Sequence, residues 1–176
     1  MERASRIIPD DLAGDPDHRP PQILGTVARH PHLLESMLKF STALANGVLP
    51  RRASEILALR TAWNCRSDFE WGHHTRYGLE AGLAEAEIER LAGGAPEPGW
   101  NAEESVLIRA ADELHKTQDL SDETWLALAE TWDEPQLVEI PFVVGQYTML
   151  SMVAKSTGVP VDEALARFPD RRPSAP

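Results

Sequence analysis

The sequence predicts an all-α fold on three observations. No stretch sustains the strict alternation of apolar and polar residues that a half-buried strand requires. Apolar residues recur instead at the three-and-four spacing of a helix face, as in Ile56, Leu59 and Trp63. Helix start signals stand ahead of these stripes: Ser67 with Glu70, Asn101 with Glu104, and Asp133 with Gln136 each have capping-box spacing.

Pro9, Pro16 and Pro20 lie among charges, so residues 1–20 read as a flexible N-terminal arm ahead of one helical domain over 21–168. A short helix follows Pro20-Pro21 and ends near Arg29. His30-Pro31-His32 breaks the chain, because the residue before a proline avoids the helical region. His32 to Asn46 is the next helix, with Leu33, Leu34, Met37, Leu38 and Leu44 near one face and Gly47 as its C-terminal cap. Leu49-Pro50 opens a helix to about Asn64, Pro50 sitting at or just before its first turn. Ser67 begins another to Ala81, which Gly82 can end, and Leu83 to Ala92 supplies a short amphipathic one.

Gly93-Gly94-Ala95-Pro96-Glu97-Pro98-Gly99 reads as a linker between two helical halves. Asn101 then caps a helix to about Lys116, with Leu107, Ala110, Ala111 and Leu114 on its buried side. Ser121 caps a helix from Asp122 to Thr131. Asp133 and Gln136 open the last long one, which Pro141 should kink. Val161 to Phe168 reads as a final short helix, and residues 169–176 as a flexible tail.

The totals exclude several functions. A formal net charge of -11 argues against nucleic acid as the partner, since phosphate binding needs clustered Lys and Arg. Cys65 is the only cysteine, so a CxxC redox pair and a Cys-rich zinc site are both excluded. The charged start Met1-Glu2-Arg3 with no apolar run after it gives no signal peptide, and a cytoplasmic location is expected. The most apolar run, Ile140 to Ala154, is short for a membrane span and carries Gln146, Thr148 and Ser151; it reads as a core or interface helix.

Reactive side chains concentrate in one window, Cys65 to His74, with a thiol, two acids and two imidazoles. His74 follows Glu70 by four residues, so both project from one helical face, where a carboxylate can set an imidazole's tautomer. Glu70 also fits the S-x-x-E cap begun by Ser67, and spacing alone favours the cap. Glu55 falls on or beside the apolar face of its own helix, an unusual place for a carboxylate. Glu70-Trp71-Gly72-His73 has the Glu-x-x-His spacing of di-iron bundles, but no second copy occurs, so no metal is expected. Cys65 reads as an inert thiol, His115 as a helix-end charge, and Trp63, Trp71 and Tyr147 as core or interface aromatics.

Leu49-Pro50-Arg51, Glu55-Ile56-Leu57-Ala58-Leu59-Arg60, Phe69-Glu70-Trp71 with His74, and Gly82-Leu83 together resemble the carboxymuconolactone decarboxylase family, which also contains alkylhydroperoxidase D. The second half, with Leu114-His115, Trp125, Leu137-Val138-Glu139 and Gly145-Gln146-Tyr147, is similar to longer members. The resemblance spans roughly residues 20 to 165. It implies a compact helical bundle that assembles into dimers, trimers or hexamers. Laid on this sequence, the peroxidase branch's glutamate and histidine fall on Glu55 and His74. Its two cysteines fall on Ser67 and Glu70, its extra histidine on Phe69, and Cys65 is two residues off register.

The missing thiol pair places the chain beside the decarboxylase-type branch, which works by proton transfer without a cofactor. The resemblance thus implies a lyase or isomerase acting on a small oxygenated organic acid or lactone. Glu55, Glu70 and His74 are the expected catalytic residues, with Glu55's pKa raised and Glu70 orienting His74. Ser67, Trp71 and His73 are expected to line the substrate pocket. The alternatives are a non-catalytic ligand-binding or assembly protein, or residual peroxidase chemistry through Cys65.

Overall fold

A computed structural model describes residues 22–169. The expected arm over residues 1–20 and most of the tail lie outside the described residues. Eight helices follow one another among them: α1 (Gln22–Val27), α2 (Pro31–Ala45), α3 (Arg51–Asn64), α4 (Asp68–Glu80), α5 (Glu85–Leu91), α6 (Ala102–Thr117), α7 (Asp122–Ala129) and α8 (Glu134–Thr157). The described residues contain no strand.

Helix α3 is the axis of the bundle. Ala53 through Leu59, with Thr61 and Ala62, are all buried, so it has almost no solvent face. Helices α4, α5, α6 and α8 pack around it. A helix buried all round needs its charges paired. Arg52 reaches Glu87 of α5 at 2.6 Å and Glu104 of α6 at 2.7 Å. Arg60 forms a two-pronged bond with Asp112 of α6 at 2.6 and 3.0 Å and donates to the Leu91 carbonyl. Because α3 packs against α6, and Arg60 ties down the chain just before segment 93–99, the Gly- and Pro-rich linker does not separate the helical halves.

The expected caps form at α6 and α8, where Asn101–Glu104 and Asp133–Gln136 satisfy each other's backbone N–H groups. Gly82 ends the α4 turn with φ +88°, where glycine alone carries no Cβ penalty. Helix α8 runs unbroken through Pro141, which can give no N–H to the Leu137 carbonyl one turn back. At 24 residues, α8 is long and apolar enough to cross a membrane by length and composition. It packs on α3, α4, α6 and α7, however, which suits a core helix equally well.

One expected helix is absent. Val161 to Phe168 is a turn, not a helix: Asp162 accepts from Ala164 N–H through its side chain and from Leu165 N–H through its carbonyl. That local bonding competes with helix formation. Pro160 and Pro169 flank a stretch too short to overcome it. Phe168 instead inserts its ring against Trp63 and Trp71, at 5.1 and 5.2 Å between centroids. Helix α2 forms as expected but buries no residue fully; Leu33 and Leu38 lie exposed. Its leucine stripe has the helical period, and α1 and α8 pack against it.

Candidate active site

The α3–α4 turn determines where the acids and imidazole point. Cys65 ends α3, and Arg66 adopts a left-handed conformation, φ +53°. The Arg66 N–H donates to the Trp63 carbonyl and the Ser67 N–H to the Ala62 carbonyl, both at 3.0 Å. These are the two bonds of a Schellman ending, here with arginine where glycine is usual. Its guanidinium covers the Trp63 ring at 4.9 Å. Ser67 then caps α4, its Oγ accepting from the Glu70 N–H at 3.4 Å.

The Ser67 N–H is therefore already bonded when Glu70 comes within reach of it. Only half of the expected capping box forms. The Glu70 carboxylate turns inward instead. Its Oε1 has no protein partner, and its Oε2 lies 3.6 Å from His74 Nε2, beyond hydrogen-bond length. Burial pushes the Glu70 carboxyl up to about 7, against the opposing pull of His74.

Glu55 reaches His74 from α3, its Oε2 2.6 Å from Nδ1. Arg51, one turn earlier, meets Oε1 of Glu55 at 3.1 Å. With Glu55 ionised, Nδ1 must carry the hydrogen, because a carboxylate only accepts. Neutral His74 then presents the Nε2 lone pair toward Glu70. Glu55, Glu70 and His74 are all buried, with 1%, 3% and 4% of their surface exposed. Tyr147 of α8 stands edge-on to His74, ring centroids 4.2 Å apart, and Tyr77 does so at 5.5 Å. Burial and the two carboxylates raise the Tyr147 phenol, so it stays a neutral donor.

The expected pocket residues do not join this cluster. Ser67 is largely buried at the cap, where it lines a cleft with Arg66, Phe69 and Lys155. Trp71 packs with Trp63 and Phe168 in the core. His73 stacks on Phe69 at 4.6 Å, and burial above all lowers its pKa to about 4. Helical geometry explains the divergence: residues 70 and 74 share a face, whereas 71 and 73 lie roughly 100° to either side of that line.

Two members of the cluster went unrecognised in the sequence. Arg51 stands one turn before Glu55, a readable pair. Tyr147 lies 73 residues beyond His74, too far for local spacing to reveal. Cys65 has its own neighbours: its half-buried Sγ lies 3.8 Å from His115 Nδ1 and 3.9 Å from Thr148 Oγ1.

Residues 31–113, which include Glu55, Glu70 and His74, match the model of the carboxymuconolactone decarboxylase family. No curated protein matches the chain by sequence. Solved structures do match its fold. One is a protein of unknown function from Agrobacterium tumefaciens, suggested to be the antioxidant defence protein AhpD. It is 16% identical, with a TM-score of 0.73 over 77% of this chain and 94% of that one. An uncharacterized peroxidase-related protein from Ralstonia eutropha JMP134 with an alkylhydroperoxidase AhpD core is 14% identical. Its TM-score is 0.73, covering 93% and 90% of the two chains. The debrominase Bmp8, solved in complex with 2,3,4-tribromopyrrole, is 14% identical with a TM-score of 0.69 over 82% and 78%. Residues 31–113 are thus similar to the carboxymuconolactone decarboxylase family, and the chain has an alkylhydroperoxidase D-like helical fold.

Proposed function

We propose that this chain is a cofactor-independent lyase of the decarboxylase type, or an isomerase, acting on a small oxygenated organic acid or lactone. The observation that carries this reading is the buried series Glu55, His74, Glu70: one imidazole nitrogen is bonded at 2.6 Å and the other faces a carboxyl held protonated up to about pH 7. The family-model match over residues 31–113 and the likeness to a debrominase support a small-molecule catalytic role.

His74 is the proton carrier at Nε2. Glu55 fixes its tautomer through Nδ1 and stabilises the imidazolium that forms. Glu70 supplies or receives the proton on the far side. In the lyase reading, the bond to the departing carboxylate breaks and its electron pair stays on carbon, conjugated with a carbonyl as an enolate. CO2 leaves, and the carbon takes the proton held between Glu70 and His74. In the isomerase reading, Nε2 removes a proton from carbon and the same pair returns one at another carbon. Exclusion of solvent from the site strengthens each interaction. Ser67, Trp71 and His73 stand outside the Glu55–His74–Glu70 series; Ser67 and Trp71 each line a separate cleft, where they remain candidates for substrate contact.

A homo-oligomer belongs to the same proposal, because Leu33 and Leu38 of α2 and Val138 and Met152 of α8 are exposed. The test is turnover of keto acids and lactones by the wild type and by His74→Gln. A general acid–base group contributes about 10²–10⁴-fold. A folded His74→Gln protein that turns over a verified substrate at the wild-type rate ends the proposal.

The Cys65–His115 approach favours one competing reading, in which peroxide oxidises the thiolate to a sulfenic acid and leaves as hydroxide or alkoxide. The chain holds no second thiol to resolve that product. Mass spectrometry after brief peroxide treatment distinguishes the two: rapid oxidation of Cys65 supports it, and an inert thiol removes it.

A further inference from the structure

Tyr147 stands against the acid–imidazole cluster with its hydroxyl uncommitted. Its ring meets the His74 ring edge-on, with centroids 4.2 Å and planes 70° apart. The hydroxyl makes no hydrogen bond among the described residues. The Tyr77 hydroxyl, by contrast, accepts from Arg76 at 3.1 Å. A phenol can both donate and accept, and a partly buried one usually finds a partner. Glu70 Oε1 is unbonded and sealed from solvent, but Tyr147 Oη is not sealed, so an entering molecule can reach it.

The side of α8 that carries Tyr147 is separate from its exposed apolar stripe. Val138, Phe142, Met149 and Met152 mark that stripe. Tyr147 lies two residues from Gly145 and from Met149, about 200° round the helix axis. The face proposed to meet a second copy is therefore not the face that turns to His74. Burial first, then the charges of Glu55 and Glu70, raise the phenol, while Arg51 opposes them. The hydroxyl is a neutral donor beside two acids, and neither acid is bonded to it.

Decarboxylation at His74 needs such a donor. As the bond to CO2 breaks, negative charge develops on a carbonyl oxygen, and a site shielded from water must meet that oxygen with a hydrogen bond. Glu55 is committed to Nδ1 of His74, and Glu70 with Nε2 handles the proton. A phenol kept neutral by its surroundings can fill the remaining place.

We infer that Tyr147 is a catalytic residue whose hydroxyl donates to the carbonyl oxygen that becomes the enolate. The inference rests on the decarboxylase reading and narrows its substrates to β-keto acids, in which the carbonyl stands next to the carbon bearing the carboxylate. The carbon–carboxylate bond breaks and CO2 leaves. Its electron pair forms a carbon–carbon double bond while the carbonyl pair moves onto oxygen, where Tyr147 donates to it and keeps its own proton. The pair returns as the carbon takes the proton held between Glu70 and His74.

The experiment compares the full-length wild type with Tyr147→Phe. That variant keeps the ring against His74 and removes a hydroxyl that bonds nothing, so its fold and melting are unchanged. With acetoacetate and oxaloacetate as substrates, it loses about 10²–10³-fold in kcat at nearly constant KM, because the donor meets full charge only in the transition state. A second readout does not require decarboxylation. Acetylacetone passes a carbon-bound proton to His74 Nε2 and becomes an enolate with its own ultraviolet absorbance. The wild type develops that absorbance at a pH where acetylacetone is un-ionised in water, and Tyr147→Phe needs about 10–100-fold more ligand for the same signal. Wild-type kcat in Tyr147→Phe beside an inactive His74→Gln overturns the inference and leaves the decarboxylase reading standing. No turnover of either acid by the wild type ends the narrowing to β-keto acids, and the acetylacetone titration then decides Tyr147 alone. Equal enolate absorbance in the two proteins, or none in either, overturns its role as the donor.

Discussion

Oε2 of Glu55 and Nδ1 of His74 meet 2.6 Å apart across the α3–α4 interface, with neither side chain more than 5% exposed. The pair joins two helices that the chain connects by only three residues. It also gives the imidazole one defined face for chemistry. Arg51 holds the other oxygen of Glu55 but is itself half exposed, so the anion is braced from the solvent side and bonded from the inside.

Glu55→Leu should therefore be costly. It leaves the buried Nδ1–H of a neutral imidazole without an acceptor, and an unsatisfied buried donor costs about 1–3 kcal/mol. Glu55→Gln retains an oxygen acceptor and should lose only about 1 kcal/mol. Denaturant melts check the order, and nitrogen-15 NMR of the His74 ring checks the hydrogen on Nδ1. A Glu55→Leu protein as stable as the wild type would mean the two side chains are not paired in solution.

Glu70 makes stability depend on pH. Its folded pKa of about 7 lies above the ordinary 4.5 because burial disfavours the carboxylate. The folded state thus binds a proton that the unfolded state has already released. The stabilisation is complete below about pH 4.5, declines as pH rises, and is gone above about 7. The shift corresponds to about 3 kcal/mol. Glu70→Gln stays neutral and lacks this decline. The variant and the wild type should melt alike near pH 4, and the variant should melt higher near pH 8. Parallel profiles would show that Glu70 titrates as an exposed carboxylate.

How far the sequence discloses this site depends on which interactions are local. Glu55 is conspicuous because an acid on an apolar helix face has few bland explanations, and His74 because it lies one turn from Glu70. Glu70 is ambiguous: the same S-x-x-E spacing serves a cap and a buried acid. What decides between them is whether the Ser67 N–H is free, and the α3 ending takes that bond through Ala62. Arg66 conceals this ending, because the left-handed position carries no glycine to announce it. The helices are legible for similar reasons. Capping boxes encode α6 and α8 within four residues, whereas the fate of residues 161–168 rests on Phe168 finding Trp63 and Trp71, about a hundred residues earlier in sequence.

The exposed apolar residues of α2 and α8 predict self-association. Val138→Glu with Met152→Glu places two charges on a face that a second copy should cover. Sedimentation should show the wild type as an oligomer and the double variant as a smaller species with unchanged helix content. Because both residues are more than half exposed in the single chain, the substitutions should shift its own stability by no more than about 0.5 kcal/mol. A monomeric wild type would leave these leucines, methionines and valine as ordinary surface.

Gly72 sets two opposing effects against each other. In a helix interior, Gly→Ala normally gains about 1 kcal/mol. Here the added Cβ would lie 2.8 Å from Leu165 Cβ and 3.1 Å from the Ala166 carbonyl oxygen. The first contact is to an atom attached to the backbone, so a rotamer change cannot relieve it. The turn over residues 162–168 must move off α4, and that drags Phe168 away from Trp63 and Trp71. Overpacking of this kind costs about 1–3 kcal/mol, enough to cancel or exceed the helical gain, before the lost ring contacts are counted. Gly72→Ala should therefore melt below the wild type and shift tryptophan emission to the red as Trp63 gains solvent. A variant stabilised by the ordinary helical increment, with emission unchanged, would show that residues 162–168 do not rest on α4 in solution.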